Sequence, residues 1–167
     1  MQGMLFLGDK KVGLRDFPDP TPSASQVIVK MKATGLCGSD LRPYRSTLDG
    51  LGARASVIGG HEPCGEVVEL GPDVRSLKIG DRVMVHHYSG CGHCEHCLSG
   101  WAQLCQNGMT LYGSQAHGGF ADYQLVEAHM CVPMPESLTY EEGAACSCGT
   151  GTAYQALKRL GVSGRDT

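Results

Sequence analysis

The stretch Cys91-Gly92-His93-Cys94-Glu95-His96-Cys97-Leu98-Ser99-Gly100-Trp101-Ala102-Gln103-Leu104-Cys105 sets four thiols at the spacing C-x2-C-x2-C-x7-C. Residues 89 to 108 around it are rich in Cys, Gly and His and carry little periodic apolar pattern. Such a segment has no core of its own, so something else must staple it. Gaps of three place successive thiolates around one turn, where three face a common centre and the fourth closes it. Zinc held by four thiolates is tetrahedral with no open position, which marks a structural site. The spacing therefore predicts a lobe at about 89–108 with a structural zinc on Cys91, Cys94, Cys97 and Cys105. Disulfides between such close neighbours would be strained. A nucleic-acid zinc module would need a phosphate-binding surface, and no Lys or Arg lies between Cys91 and Cys105. His93 and His96 compete in principle as ligands, but four thiolates leave them to solvent.

Outside this lobe the chain reads as short strands and turns. It has 167 residues, enough for one domain with a real core. Its 24 glycines imply many tight turns and favour a β-rich fold over a helical bundle. Lys and Arg number 14 against 17 Asp and Glu, a net charge of -3. That balance argues against a nucleic-acid or anionic-membrane partner. No stretch approaches a membrane span or a secretory signal. Nine Cys without an export signal point to metal binding in the cytoplasm rather than to disulfides. Strands are expected at Val12 to Phe17, Val27 to Ala33, Cys64 to Leu70, Arg82 to His87, Phe120 to Val126 and Met130 to Val132. Val27, Val29, Met31 and Ala33 alternate as the covered face of a half-buried strand. Ser39 or Asp40 caps a short helix. Asp49-Gly50-Leu51-Gly52-Ala53 reads as a flexible loop able to cover a substrate. Thr139 to Glu142 carries a capping box. Thr152 to Leu160 is the best helix, with Ala153, Ala156, Leu157 and Leu160 on one face.

A second set of chemistry-bearing residues is dispersed: Cys37 in Gly-Leu-Cys-Gly-Ser-Asp, His61-Glu62 in Gly-Gly-His-Glu, and Cys148 in Cys-Gly-Thr-Gly-Thr-Ala-Tyr. Spacing alone does not join them. With G35-L-C-G-S-D40, G60-H-E-P-C-G-E-V-V-E-L-G71, K78-I-G-D-R-V83, the four-Cys lobe, G118-G-F-A-D-Y123 and C148-G-T-G-T-A-Y154 in this order, the chain resembles the zinc-dependent medium-chain alcohol and polyol dehydrogenases from about Val27 onward. The resemblance implies a mainly β, GroES-like, partly open β-barrel over 1–150, with the zinc lobe projecting from it. It implies that Cys37, His61 and Cys148 hold a catalytic zinc with an open position, so that each chain takes two zinc ions. Glu62 would be a transient fourth ligand. Asp40 would fix the His61 tautomer, and Ser39 would pass the substrate proton onward. Gly38 would meet the cofactor pyrophosphate through backbone, and Thr152 would sit beside the nicotinamide of NAD or NADP. Cys146 is the decoy for Cys148. Cys64 and Cys131 read as packed thiols. Asp40 and Glu62 read otherwise as ordinary turn acids.

The implied activity is oxidation of a small alcohol to a carbonyl, or the reverse, with hydride transfer to NAD(P). Zinc would acidify the alcohol. Where some relatives carry a relay His, this chain has Arg42, which does not release a proton near neutrality. No G-x-G-x-x-G follows a strand within these residues. Residues 151–167 are then expected to be a helix leading toward a nucleotide-binding (Rossmann) domain absent from this stretch, and the isolated chain is expected to be inactive. A full-length form would be a homodimer or homotetramer. The substrate pocket is expected to draw on residues 41 to 51 and 111 to 117. A non-catalytic, zinc-stabilised binding or scaffold module is the alternative.

Overall fold

The computed structural model describes residues 1–166; Thr167, the last residue of the expected 151–167 segment, lies outside the described residues. The opening stretch is a strand. β1 (Gln2–Gly8) and β2 (Lys11–Asp16) form an antiparallel hairpin. Asp9 and Lys10 turn it with φ of 50° and 61°, the left-handed pair that tight hairpin turns need. The Pro18-Asp19-Pro20-Thr21-Pro22 run then breaks the pairing, since proline supplies no ladder N–H. β3 (Gln26–Gly35) follows. Two short helices come next, α1 (Leu41–Arg45) and α2 (Leu48–Leu51), and then β4 (Glu62–Leu70) and β5 (Arg82–Val85). The lobe holds β6 (Tyr88–Ser89), α3 (Glu95–Leu98) and β7 (Thr110–Leu111). The chain closes with β8 (Tyr123–Glu127), β9 (Cys131–Pro133), α4 (Tyr140–Ala145) and α5 (Gly151–Leu160).

The main sheet is antiparallel throughout, in the order β8-β3-β4-β5-β9. Among the described residues the sheets stay open and no barrel closes, as a partly open GroES-like domain allows. Single bridges, Gly3 to Ala121 and Leu5 to Ile58, tie the hairpin to the neighbouring loops. The core is largely valine: Val27, Val29, Val67, Val83, Val85 and Val126 are fully buried and pack with Tyr112, Met130 and Cys131. β-branched side chains suit this pleated interior. A second cluster joins Cys64, Met134 and Ala144. The Arg82 guanidinium helps to close it, donating to the carbonyls of Pro135, Glu136 and Leu138 and stacking on Tyr140.

Several expectations need correcting. β3 is covered on both faces at its start, because Ile28 is as buried as Val27 and Val29. The strand expected from Phe120 begins only at Tyr123; Phe120 instead accepts from Met4 N and donates to the Gly59 carbonyl, which draws it toward β1. Residues 49–53 are not an open loop. Thr47 Oγ1 accepts from Gly50 N to cap α2, and Gly52–Ser56 continues as a 3-10 turn. α5 forms as expected and ends at Gly161 in the left-handed conformation, φ 68°. Yet Leu157 and Leu160 on its apolar face are exposed among the described residues.

These burials set a stability contrast. Ile58 is fully enclosed, so Ile58→Ala should cost about 2–5 kcal/mol in chemical denaturation. Leu157→Ala, on the exposed face of α5, should change stability by less than about 0.5 kcal/mol.

Candidate functional site

Two groups of side chains bring their ligand atoms within 4.8 Å of one another: Cys91, Cys94, Cys97 and Cys105, and separately Cys37, His61, Glu62 and Cys148. In the lobe, Cys91 Sγ lies 4.0 Å from Cys97 Sγ, and Cys94 Sγ lies 3.8 Å from Cys105 Sγ. Those separations are far beyond a disulfide bond. They match the edge of a tetrahedron of thiolates around zinc, about 3.8 Å for Zn–S bonds of about 2.3 Å. Backbone N–H groups of Cys91 and Cys94 point at the sulfurs of Cys105 and Cys91, and Asn107 Nδ2 adds a donor to Cys91. The N–H of His93 is the main reason the Cys91 thiol is held down to about 5, while desolvation pushes Cys97 up to about 12. Gly90 is required here, because a Cβ would fall 2.5 Å from Cys97 Sγ. Neither His93 nor His96 joins the group; His93 Nδ1 faces the Cys91 carbonyl at 2.8 Å instead.

The second group is assembled from three parts of the chain. Cys37 follows β3 and starts a 3-10 turn over Gly38–Asp40. Neither Ser39 nor Asp40 caps a helix forward, contrary to expectation. The Asp40 carboxylate reaches back, its Oδ2 accepting from Cys37 N at 3.0 Å. Its other oxygen faces His61 Nδ1 at 3.4 Å, long for a hydrogen bond, and has no other partner. Asp40 is only 1% exposed, so this carboxylate is committed to two neighbours of the site. Glu62 opens β4 opposite Gly35, in register. A Cβ on Gly35 would overlap Glu62 Oε2, and Gly149 lies on the Oε1 side. Cys148 lies in a π-helical turn, Cys146–Thr150, between α4 and α5. Ser147 Oγ donates to the Pro63 carbonyl at 3.2 Å and fixes that turn beside β4. The wide turn aims Cys148, and not Cys146, at the group.

The electrostatics suit a metal. The Asp40 carboxylate raises His61 to about 9, against desolvation, with Cys37 adding to the rise. Hydrogen bonds from Ser39 lower the Cys37 thiol, and desolvation lifts Cys148 to about 12. Two thiols, an imidazole and a carboxylate within 4.8 Å of one another form a mixed donor set that a metal cation could occupy by displacing their protons. Ser39 Oγ lies 3.3 Å from His61 Nε2. Gly38 is open, with nothing within 4 Å of where a Cβ would stand. Thr152 lines a cavity of about 660 Å³ together with Cys148, His87 and Tyr88. That cavity is walled by β5, the lobe and the start of α5, and none of residues 41 to 51 or 111 to 117 lines it. Cys64 and Cys131 are buried thiols outside both groups.

Sequence reasoning missed His87. It is 5% exposed, its ring meets that of His61 edge-on at 5.1 Å, and burial is the main cause that drops it to about 4. The available signal was the alternation Val83, Val85, His87, which continues a buried face into a polar residue.

A family profile described as "Alcohol dehydrogenase GroES-like domain" matches residues 23–136. An uncharacterised zinc-type alcohol dehydrogenase-like protein of Escherichia coli (strain K12), YphC, is 43% identical over 95% of this chain and 47% of its own length. Acetophenone reductase from Geotrichum candidum, solved in complex with NAD, superposes with a TM-score of 0.84 at 30% identity, over 98% of this chain and 48% of that one. A cobalt- and zinc-bound thermostable alcohol dehydrogenase from Pyrobaculum aerophilum gives 0.82 at 30% identity, over 98% and 49%. The chain spans about half the length of the curated relatives it matches. No helix among the described residues is long and apolar enough to cross a membrane.

The raised His61 value sets a pH dependence in the metal-free chain. Its folded value, about 9, exceeds the ordinary unfolded value of about 6.5. The Asp40–His61 contribution is therefore fully present below about 6.5 and disappears as pH rises through about 9. Urea denaturation of the metal-free parent and of Asp40→Asn should show a stability gap that narrows across this window. A gap independent of pH would contradict the pairing.

Proposed function

The chain belongs to the zinc-dependent medium-chain alcohol dehydrogenases as their N-terminal, GroES-like domain, and on that premise we propose that it is the catalytic domain of an enzyme interconverting a small alcohol and its carbonyl with NAD or NADP. The observation that carries this reading is the group Cys37, His61, Glu62 and Cys148. Cys37, His61 and Cys148 hold the catalytic zinc, and Cys91, Cys94, Cys97 and Cys105 a second, structural zinc. When bound, the catalytic zinc supplies a Lewis acid for the substrate oxygen, and the nicotinamide accepts or returns hydride.

This chain's own residues prepare that chemistry. Asp40, facing Nδ1 of His61, leaves Nε2 as the ligating nitrogen. Its bond to Cys37 N fixes a second ligand through the same carboxylate. Ser39 Oγ, on the Nε2 side of His61, takes the hydroxyl proton of the substrate and relays it outward through water, since Arg42 does not serve as a base. Glu62 stands in reserve as an exchangeable ligand. The bare Gly38 backbone admits the cofactor pyrophosphate, and Thr152 meets the nicotinamide side of the cavity. The relatives' further length, which this chain does not cover, accommodates the cofactor domain that α5 leads toward, and the enzyme forms a homodimer or homotetramer. Thiolate ligands in both groups suit a reducing cytoplasm. A purely structural module would account for the lobe, but it gives no reason for a second, mixed-ligand group.

Elemental analysis tests this directly. The parent should carry two zinc ions, with Cys148→Ala and Cys105→Ala each losing a different one. In the longer polypeptide, Cys148→Ala should lower kcat/KM for alcohol oxidation by at least about 100-fold, on the order of 3 kcal/mol of transition-state stabilisation. Unchanged turnover in that variant would exclude the assignment.

A further inference from the structure

Asn107 is the only asparagine among the 167 residues, and Gly108 follows it. The pair sits exposed just after Cys105, the last thiol of the lobe. Each residue of the pair is tied to a different member of the four-thiol group. The Asn107 side-chain amide donates through Nδ2 to Cys91 Sγ at 3.3 Å. The Gly108 N–H donates to the Cys105 carbonyl at 3.2 Å. Cys91 and Cys105 are themselves joined, the Cys91 N–H pointing at Cys105 Sγ at 3.3 Å. Gly108 stands at φ 84°, with nothing within 4 Å of where a Cβ would be. Its amide nitrogen therefore has no side chain of its own to shield it.

An asparagine followed by glycine carries its own route to hydrolysis. The Gly108 nitrogen, on losing its proton to solvent, attacks Cγ of Asn107. A bond forms between that nitrogen and Cγ, the Cγ–Nδ2 bond breaks, and ammonia leaves after taking up a proton. Water then opens the five-membered imide at either carbonyl, to aspartate or to isoaspartate. One water is consumed and one ammonia released, with no oxidant and no co-reactant. Attack requires that both bonds of the turn be released, the amide from Cys91 and the nitrogen from Cys105. Zinc on the four thiols draws Cys91 and Cys105 to one centre and keeps both bonds; a lobe without metal opens more readily. The product does not restore the first bond. A carboxylate accepts and does not donate, and its charge faces a thiolate sulfur where an N–H stood.

We propose that Asn107 is a deamidation site, that its conversion to aspartate or isoaspartate weakens the hold of the lobe on its zinc, and that bound zinc in turn protects the amide. This rests on the reading of Cys91, Cys94, Cys97 and Cys105 as a zinc site. Loss of metal and loss of the amide then reinforce each other, so a chain left without zinc turns into one that rebinds it poorly.

The test incubates the zinc-loaded and the zinc-stripped chain under the same reducing, mildly alkaline conditions. Mass spectrometry follows the gain of an amide turned acid, located at residue 107 by peptide fragmentation. The zinc-stripped chain should convert at least about 10-fold faster. Chelator competition then measures zinc affinity in a Cys148→Ala background, where the lobe is the remaining zinc site. Asn107→Asp, which reproduces the aspartate product, should bind zinc at least about 10-fold more weakly than Asn107 does. Asn107→Ala, which loses the bond without gaining the charge, should fall between the two. If the Asp variant does not fold, the mass comparison on the unaltered sequence decides alone. Equal conversion with and without zinc, or Asn107→Asp holding zinc as tightly as the parent, overturns the proposal and leaves the zinc lobe standing. If the lobe thiols take up no zinc at all, the reading of the lobe fails and this inference falls with it.

Discussion

A side-chain contact, Ser147 Oγ to the Pro63 carbonyl at 3.2 Å with the same hydroxyl 3.1 Å from the Gly143 carbonyl, joins with the packing of Ala144 on Cys64 and Met134 to bring together parts of the chain that sequence keeps far apart. Pro63 follows His61 and Glu62 at the head of β4, and β4 pairs there with the end of β3, Thr34 opposite Pro63 and Gly35 opposite Glu62. Cys37 leaves β3 two residues beyond that pairing. Ser147 lies in the π turn that carries Cys148, so its contact with Pro63 sets that turn beside the head of β4. The donor group thus follows from sheet register, this anchor and the packing of α4 on the sheet. A slip of one residue in β3–β4 would turn the ligands to opposite faces.

The two groups of candidate metal ligands show different physical designs. The lobe is local: four sulfurs, backbone N–H donors and a glycine too close to Cys97 for any side chain. It has sulfur in place of a hydrophobic core and no exchangeable donor. The dispersed group sits at the end of β3, at the head of β4 and in the π turn before α5, with a buried carboxylate facing the imidazole and the Cys37 backbone at once. Its donors are mixed, one is a carboxylate that can exchange, and a cavity opens beside Cys148. Preorganisation of this kind is what chemistry at a metal requires.

Much of this was legible in the sequence because the physics is short-range. The lobe follows from spacing alone, and the Thr139–Glu142 capping box and the Thr152–Leu160 helix follow from local propensity. The convergence of Cys37, His61 and Cys148 is not local, and only family resemblance suggested it. Three features were not legible, two of them for tertiary reasons. The strand expected from Phe120 starts late because the Phe120 backbone is taken by Met4 and Gly59. Residues 49–53, expected as a loop, are organised by the Thr47 cap. His87 carries no motif, and its burial against His61 is set by the fold, which composition does not reveal.

The central claim is that the sulfurs of residues 37 and 148 and the imidazole of residue 61 share one metal ion. Crystals of the zinc-loaded chain, measured on both sides of the zinc absorption edge, test it most directly. The account predicts two anomalous peaks, one inside the four-thiolate lobe and one between Cys37 Sγ, His61 Nε2 and Cys148 Sγ. A single peak in the lobe, with the dispersed group empty at saturating zinc, would contradict it.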